Sequence, residues 1–290
     1  MNKRFAIIST ILFFIIIITE HIAYTAFNTA GVVIRENVEI VLIILGFVLP
    51  LIFIFSMLYS YKRYSLFNSL LNTISSVWLA FISGVFVVSI FVSFLVLINS
   101  HLDLNTPLRT VSNALLFIVI VITTYGILHS NKIKITRYNI KSKELSKDWS
   151  GKKIIMVSDI HLGSIRHKKF LQKIVDTINK ENPDITFNVG DMIDGSSIPY
   201  QKWFSPLSSL NTKLGNYYVE GNHERYSKEY DVFLSQFPKA LNNLTDRRII
   251  LNNTQIIGLR HEDKETGEKT LLRLKSLGYD SDIPSIILIH

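Results

Sequence analysis

Ile154-Ile155-Met156-Val157-Ser158-Asp159-Ile160-His161 is a short β-rich run that ends in two side chains able to hold a cation. The arrangement recurs down the second half of the chain. Ile185-Thr186-Phe187-Asn188-Val189 leads into Gly190-Asp191-Met192-Ile193-Asp194, Tyr217-Tyr218-Val219 into Gly221-Asn222-His223-Glu224, and Ile286-Ile287-Leu288-Ile289 into His290. Between the first two runs, Phe170, Leu171, Ile174, Val175 and Ile178 recur at helical spacing, and Pro183 closes the segment. Between the next two, Trp203, Leu207 and Leu210 suggest another helix, with Pro206 obscuring its start. Strands alternating with helices predict an α/β domain, which builds its site at the carboxyl ends of its strands. Asp, Asn and Gly after a strand are ordinary turn formers, so one such group carries little weight. Four at successive strand ends point to a metal site.

The chain has no cysteine, so thiolate metal sites and cysteine nucleophiles are excluded, and a cation must be held by His, Asp, Glu or Asn. Such ligands suit manganese, iron or zinc over calcium, and their hardness favours manganese.

The first half has a different chemistry. The chain of 290 residues is 48% hydrophobic, with a mean hydropathy of +0.28, and the excess lies before residue 130. Apolar stretches at roughly 5–27, 38–60, 70–99 and 110–128 each approach the ~20 residues needed to cross a bilayer. Lys3, Arg4, Lys62, Arg63, Lys132, Lys134 and Arg137 fall on one side of these spans and only Arg35 and Arg109 on the other, which predicts cytoplasmic termini and a cytoplasmic second half at an inner or plasma membrane. Glu20 and His21 form the only titratable pair inside a predicted span, best explained by a position near the outer interface. The net charge of +8 crowds the span edges and the following linker, so anionic lipid is the expected counterpart rather than nucleic acid. Residues 131–150 form that lysine-rich linker, with Ile133, Ile135 and Tyr138 spaced as in a short strand. The predicted organisation is a membrane domain over 1–130, the linker, and an α/β domain over 151–290.

The ordered set Asp159-x-His161, Gly190-Asp191-x-x-Asp194, Gly221-Asn222-His223-Glu224 and strand-then-His290 resembles the calcineurin-like metallophosphoesterase superfamily. Ser158-Asp159-Ile160-His161-Leu162-Gly163 looks most like its membrane-associated bacterial branch. The resemblance implies an αββα sandwich holding two divalent cations. Asp159 and His161 would bind one, Asn222 and His290 the other, and Asp191 would bridge both. Two adjacent cations need a shared carboxylate to offset their repulsion, and together they polarise a phosphoryl group and acidify a water. The resemblance places His223 facing the phosphate, as the catalytic residue. Asp194 and Glu224 are expected to orient ligands rather than to coordinate. The pattern's fifth element, Gly-His-x-His, is absent, so the domain is expected to be incomplete after His290. The expected activity is hydrolysis of a phosphomonoester, phosphodiester or pyrophosphate on a small or lipid-linked substrate. The competing expectation is a non-catalytic membrane protein carrying an inactive, truncated domain. Oligomeric state is not legible.

Overall fold

The computed structural model describes residues 3–33, 35–60, 62–227, 230–262 and 266–290. The chain divides into two compact units, Met1–Tyr59 with Ser65–Lys132 and Ser60–Tyr64 with Ile133–His290.

The first unit is built from four helices, α1 (Lys3–Thr29), α2 (Glu36–Ser60), α3 (Leu66–Leu102) and α4 (Leu108–His129). All four are long and apolar enough to cross a membrane. Ser65 caps α3 by accepting from the Asn68 N–H, and Asp103 ends it in a left-handed conformation. Ala23, Ala26 and Phe27 of α1 pack with Val85 and Val92 of α3 and Val119 of α4. Large side chains such as Phe55, Val87, Phe117 and Ile122 stay exposed, as suits helices solvated by lipid rather than water. The Glu20 carboxylate lies directly against Gly46 of α2, and one of its oxygens is buried with no hydrogen-bond partner among the described residues. Tyr24 donates from its hydroxyl to Glu39 at 2.6 Å.

The second unit carries β1 (Ile154–Val157), α5 (Lys168–Glu181), β2 (Ile185–Val189), α6 (Tyr200–Phe204), β3 (Asn216–Val219), α7 (Asn222–Tyr226), α8 (Tyr230–Ser235), β4 (Asn242–Asn243), β5 (Arg247–Leu251), β6 (Thr254–Gly258), α9 (Gly267–Ser276) and β7 (Ser285–Leu288). Strands β1 to β4 form one parallel sheet in sequence order, with Ile154 opposite Ile185 and Thr186 opposite Asn216. Strands β5, β6 and β7 form a second sheet, antiparallel between β5 and β6 and parallel between β6 and β7.

Period-two alternation explains the layers. Ile185, Phe187 and Val189 turn to one side of β2 and meet Val219, Leu244, Ile256 and Leu288, which closes the two sheets on each other. On the outer face of the first sheet, Leu171, Val175, Trp203, Phe204 and Phe233 bring α5, α6 and α8 against Tyr218. On the outer face of the second, Ile257 and Leu259 pack against Leu274 of α9. Helix, sheet, sheet, helix is the expected αββα sandwich. Ile154 and Met156 share the inner face with Ile185 and Phe187 by register, yet are 40% and 70% exposed, because the second sheet covers β2 and not β1.

Two expectations about elements are corrected. Residues 133–138 do not form a strand: the segment makes no ladder with any described residue, and a strand exists only where a neighbour takes its N–H and C=O groups. The helix expected through Trp203, Leu207 and Leu210 breaks into the short α6 and a 3-10 turn over Ser205–Ser209, because Pro206 cannot donate an α-helical hydrogen bond.

The linker is tied to the domain by charge. Arg137 donates to Glu181 at 2.7 Å, and Asp184 accepts from the Lys153 N–H at 2.9 Å. The Arg137 hydrogen bond holds the Glu181 carboxyl below its ordinary 4.5, and the Lys153 N–H holds Asp184 below its ordinary 3.8. A depressed folded value means that the stabilisation is present above the ordinary value and is lost as pH falls through the folded one. Arg137→Ala should therefore lower the unfolding midpoint slightly at pH 7, and the difference from the parent should shrink at a pH well below the ordinary 4.5 of Glu181. Tryptophan fluorescence during thermal unfolding at both pH values reads it; an equal difference at both would remove the ion pair as its cause.

Candidate metal centre

Every ligand group expected from the sequence falls at the carboxyl end of a strand: Asp159 and His161 after β1, Asp191 after β2, Asn222 after β3, His290 after β7. The first two loops travel together beyond their strands. Asp159 N–H donates to Gly190 C=O at 3.1 Å, His161 N–H to Asp191 C=O at 3.0 Å and Leu162 N–H to Met192 C=O at 2.9 Å, which extends the parallel ladder through the site. Asp159, His161 and Asp191 take left-handed backbones, with φ of 55°, 49° and 54°. Their side chains converge on one point.

Asp191 sits at that point and is 3% exposed. Its Oδ2 lies 3.7 Å from His161 Nε2 and 3.2 Å from His290 Nε2, and Asp159 Oδ1 lies 3.6 Å from His161 Nε2. The donors form two clusters, His161 with Asp191 and His223, and Asp159 with Asp191 and His290, both sharing Asp191. Separations of 3.2 to 3.7 Å fit donors arranged around a cation with bonds near ~2.1 Å, and a His and carboxylate set without thiolate suits a divalent ion.

Neighbouring groups fix the imidazoles. His290 Nδ1 donates to Val189 C=O at 2.8 Å, leaving Nε2 as the nitrogen that faces Asp191. His223 Nδ1 lies 3.2 Å from Asp194 C=O, its N–H donates to Asp191 Oδ1 at 2.9 Å, and its ring stands edge-on to His161 with centroids 4.6 Å apart. His223 thus belongs to the donor cluster itself, which its expected catalytic role left open. Asn222 opens α7 beside it, half-buried.

Glu224 is fully buried and accepts four backbone N–H groups, from Asp191 at 3.1 Å, Met192 at 2.5 Å, Ile193 at 3.3 Å and Gly221 at 2.9 Å. One carboxylate therefore joins the second loop to the third. Burial pushes this carboxyl above its ordinary range, against the lowering effect of the Gly221 N–H. Asp194 accepts from Ser196 N–H at 2.7 Å and Ser164 N–H at 3.3 Å, bracing the second loop against the first. Gly190 and Gly221 allow these loops to approach: a Cβ on Gly190, where φ is +81°, would stand 2.7 Å from Gly221 Cα and 2.8 Å from the His290 ring.

The sequence reading missed a charged network behind the third loop. Glu220, 1% exposed, pairs with Arg260 at 2.8 Å and accepts from Tyr230 OH at 2.6 Å; Arg260 and Arg273 both meet Asp246, at 3.1 and 2.9 Å. Beside Arg260, His261 places Nδ1 3.2 Å from His290 C=O. Glu220 stands immediately before Gly221-Asn222-His223 in the sequence, but nothing local marks its burial or its pairing with Arg260, forty residues on.

Residues 152–285 match the calcineurin-like phosphoesterase family. That stretch is a calcineurin-like phosphoesterase domain. An uncharacterized metallophosphoesterase from Campylobacter jejuni is 30% identical over 157 residues, which are 53% of this chain and 40% of that protein. A Danio rerio transmembrane protein with a metallophosphoesterase domain is 30% identical over 133 residues, 44% of this chain and 30% of its own length. The Bos taurus protein of the same description is 27% identical over 190 residues, 59% and 42% of the two chains. This chain thus spans less than half of each of these relatives. The chain thus carries a calcineurin-like phosphoesterase domain after four helices that are long and apolar enough to cross a membrane.

Proposed function

We propose that the chain is a membrane-anchored phosphoesterase that hydrolyses a phosphomonoester, phosphodiester or pyrophosphate with two divalent cations, manganese first among them. The observation that carries the reading is the pair of donor clusters sharing the Asp191 carboxylate. When bound, two such cations act as Lewis acids on a phosphoryl oxygen and lower the pKa of water. The chain's own part is to hold and orient. Asp191 offers one oxygen to both clusters while its other is fixed by the His223 N–H. Val189 and Asp194 carbonyls set the ring directions of His290 and His223. His223, at the edge of the cluster, supplies the proton for the departing oxygen or steadies the charge that develops on the phosphoryl group. The membrane anchor favours a lipid-linked substrate, and the excess of basic residues at the span ends on one side supports a cytoplasmic domain. Five convergent donors weigh against the non-catalytic alternative.

The test is hydrolysis of bis-p-nitrophenyl phosphate by the detergent-solubilised chain with manganese, iron or zinc, and with EDTA. Turnover is expected with manganese, with loss on chelation and recovery on adding the metal back. A chain that binds manganese and hydrolyses neither this diester nor its monoester would move the assignment to a non-catalytic role.

A further inference from the structure

We propose that residues 132–147 are a membrane-surface element that lies on anionic phospholipid and holds the phosphoesterase unit close to the bilayer. Over residues 132–153 there are eight Lys or Arg against two Asp or Glu, so the segment holds most of the chain's net charge of +8. Some of these cations are spoken for: Arg137 binds Glu181, and Lys153 lies 3.5 Å from the same carboxylate. Lys134, Lys141, Lys143 and Lys147 are exposed and have no side-chain partner among the described residues.

The backbone through 133–140 belongs to no helix or strand and makes no ladder among the described residues, so its side chains are not committed to a sheet. Arg137 turns toward the domain to meet Glu181. Lys134, Tyr138 and Ile140 beside it are exposed. Tyr138 is 84% exposed and Ile140 is 81% exposed. Water is a poor environment for a bare tyrosine and isoleucine flanked by unpaired lysines; the headgroup region of an anionic bilayer suits all of them, taking the ring and the branched chain at the acyl boundary and the ammonium groups at phosphate depth.

Reach permits that contact. Tyr138 follows the last residue of α4, His129, by nine residues. Fully extended, that length covers only ~30 Å. A ring tethered this close to a span end is within reach of the bilayer surface. Arg137 then transmits the contact, since the residue next to the embedded ring is the one ion-paired to α5.

The absence of cysteine gives a direct experiment, because Tyr138→Cys creates a single labelling site in the full chain. The labelled protein, carrying an environment-sensitive fluorophore, is placed in nanodiscs of phosphatidylcholine alone or with a third of phosphatidylglycerol. Expected with phosphatidylglycerol are a blue-shifted emission and about a two-fold loss of acrylamide quenching, both reversed by molar salt. Both should also vanish when Lys134, Lys141, Lys143 and Lys147 are changed to glutamate. Equal emission in the two lipids, or a phosphatidylglycerol effect that survives the charge reversal, would overturn the proposal and leave the segment a solvated spacer. Neither outcome depends on hydrolysis.

Discussion

Asp191→Asn is expected to remove metal-dependent hydrolysis by at least ~100-fold while leaving the domain folded. The asymmetry comes from the two oxygens of one side chain. Oδ1 accepts the His223 N–H at 2.9 Å, and an asparagine keeps that acceptor; Oδ2 is the atom that His161 and His290 both approach, and an amide nitrogen there neither bears charge nor accepts. Cation binding by calorimetry should weaken in parallel with turnover, whereas the thermal midpoint of the metal-free protein should stay near the parent value. His223→Ala is the informative companion. Its loss of turnover should exceed its loss of cation affinity, because the other members of both clusters remain. Full activity in Asp191→Asn would sink the shared-carboxylate reading outright.

Glu224→Ala is expected to be the most destabilising single substitution in the domain, by about 3 to 5 kcal/mol. No cavity argument is needed. Four backbone N–H groups, belonging to Gly221, Asp191, Met192 and Ile193, would lose the carboxylate that accepts them at a fully buried site. Water cannot readily replace it, and both ligand loops would loosen at once. Glu224→Gln keeps one acceptor oxygen and turns the other into a donor that faces N–H groups, so it should lie between parent and alanine. Urea unfolding followed by tryptophan fluorescence ranks the three; an alanine variant as stable as the parent would show that the loops are held by other means.

The elements carrying the site were the most legible part of the sequence. β1, β2, β3 and β7 announce themselves as apolar β-branched runs that stop at a ligand, and α5 as a regular apolar stripe. The β5 and β6 hairpin was not read, although Asn252-Asn253 between them is a two-residue turn with φ of 50° and 52°, a conformation that asparagine tolerates and that such hairpins require. Its weak alternation hid it: Arg247 and Arg248 open β5, while β6 is buried throughout. The expected strand over 133–138 failed for the opposite reason, since alternation shows what a segment would suit and not whether a neighbour is there to receive it. The candidate donors were legible because each follows its own strand end. The tautomer-setting carbonyls of Val189 and Asp194, and the pairing of Glu220 with Arg260, depend on how distant loops meet and have no local signature.

Three of the donors, Asp159, His161 and Asp191, sit in backbone conformations that side-chain-bearing residues adopt at a cost of about 1 kcal/mol each. Heat resistance and chemistry therefore pull in opposite directions at these positions. A variant library of this domain selected for thermal endurance in the absence of metal should drift toward glycine and asparagine at residues 159, 161 and 191, becoming hardier as it forgets how to hold a cation, and the same library selected with manganese present should keep all three.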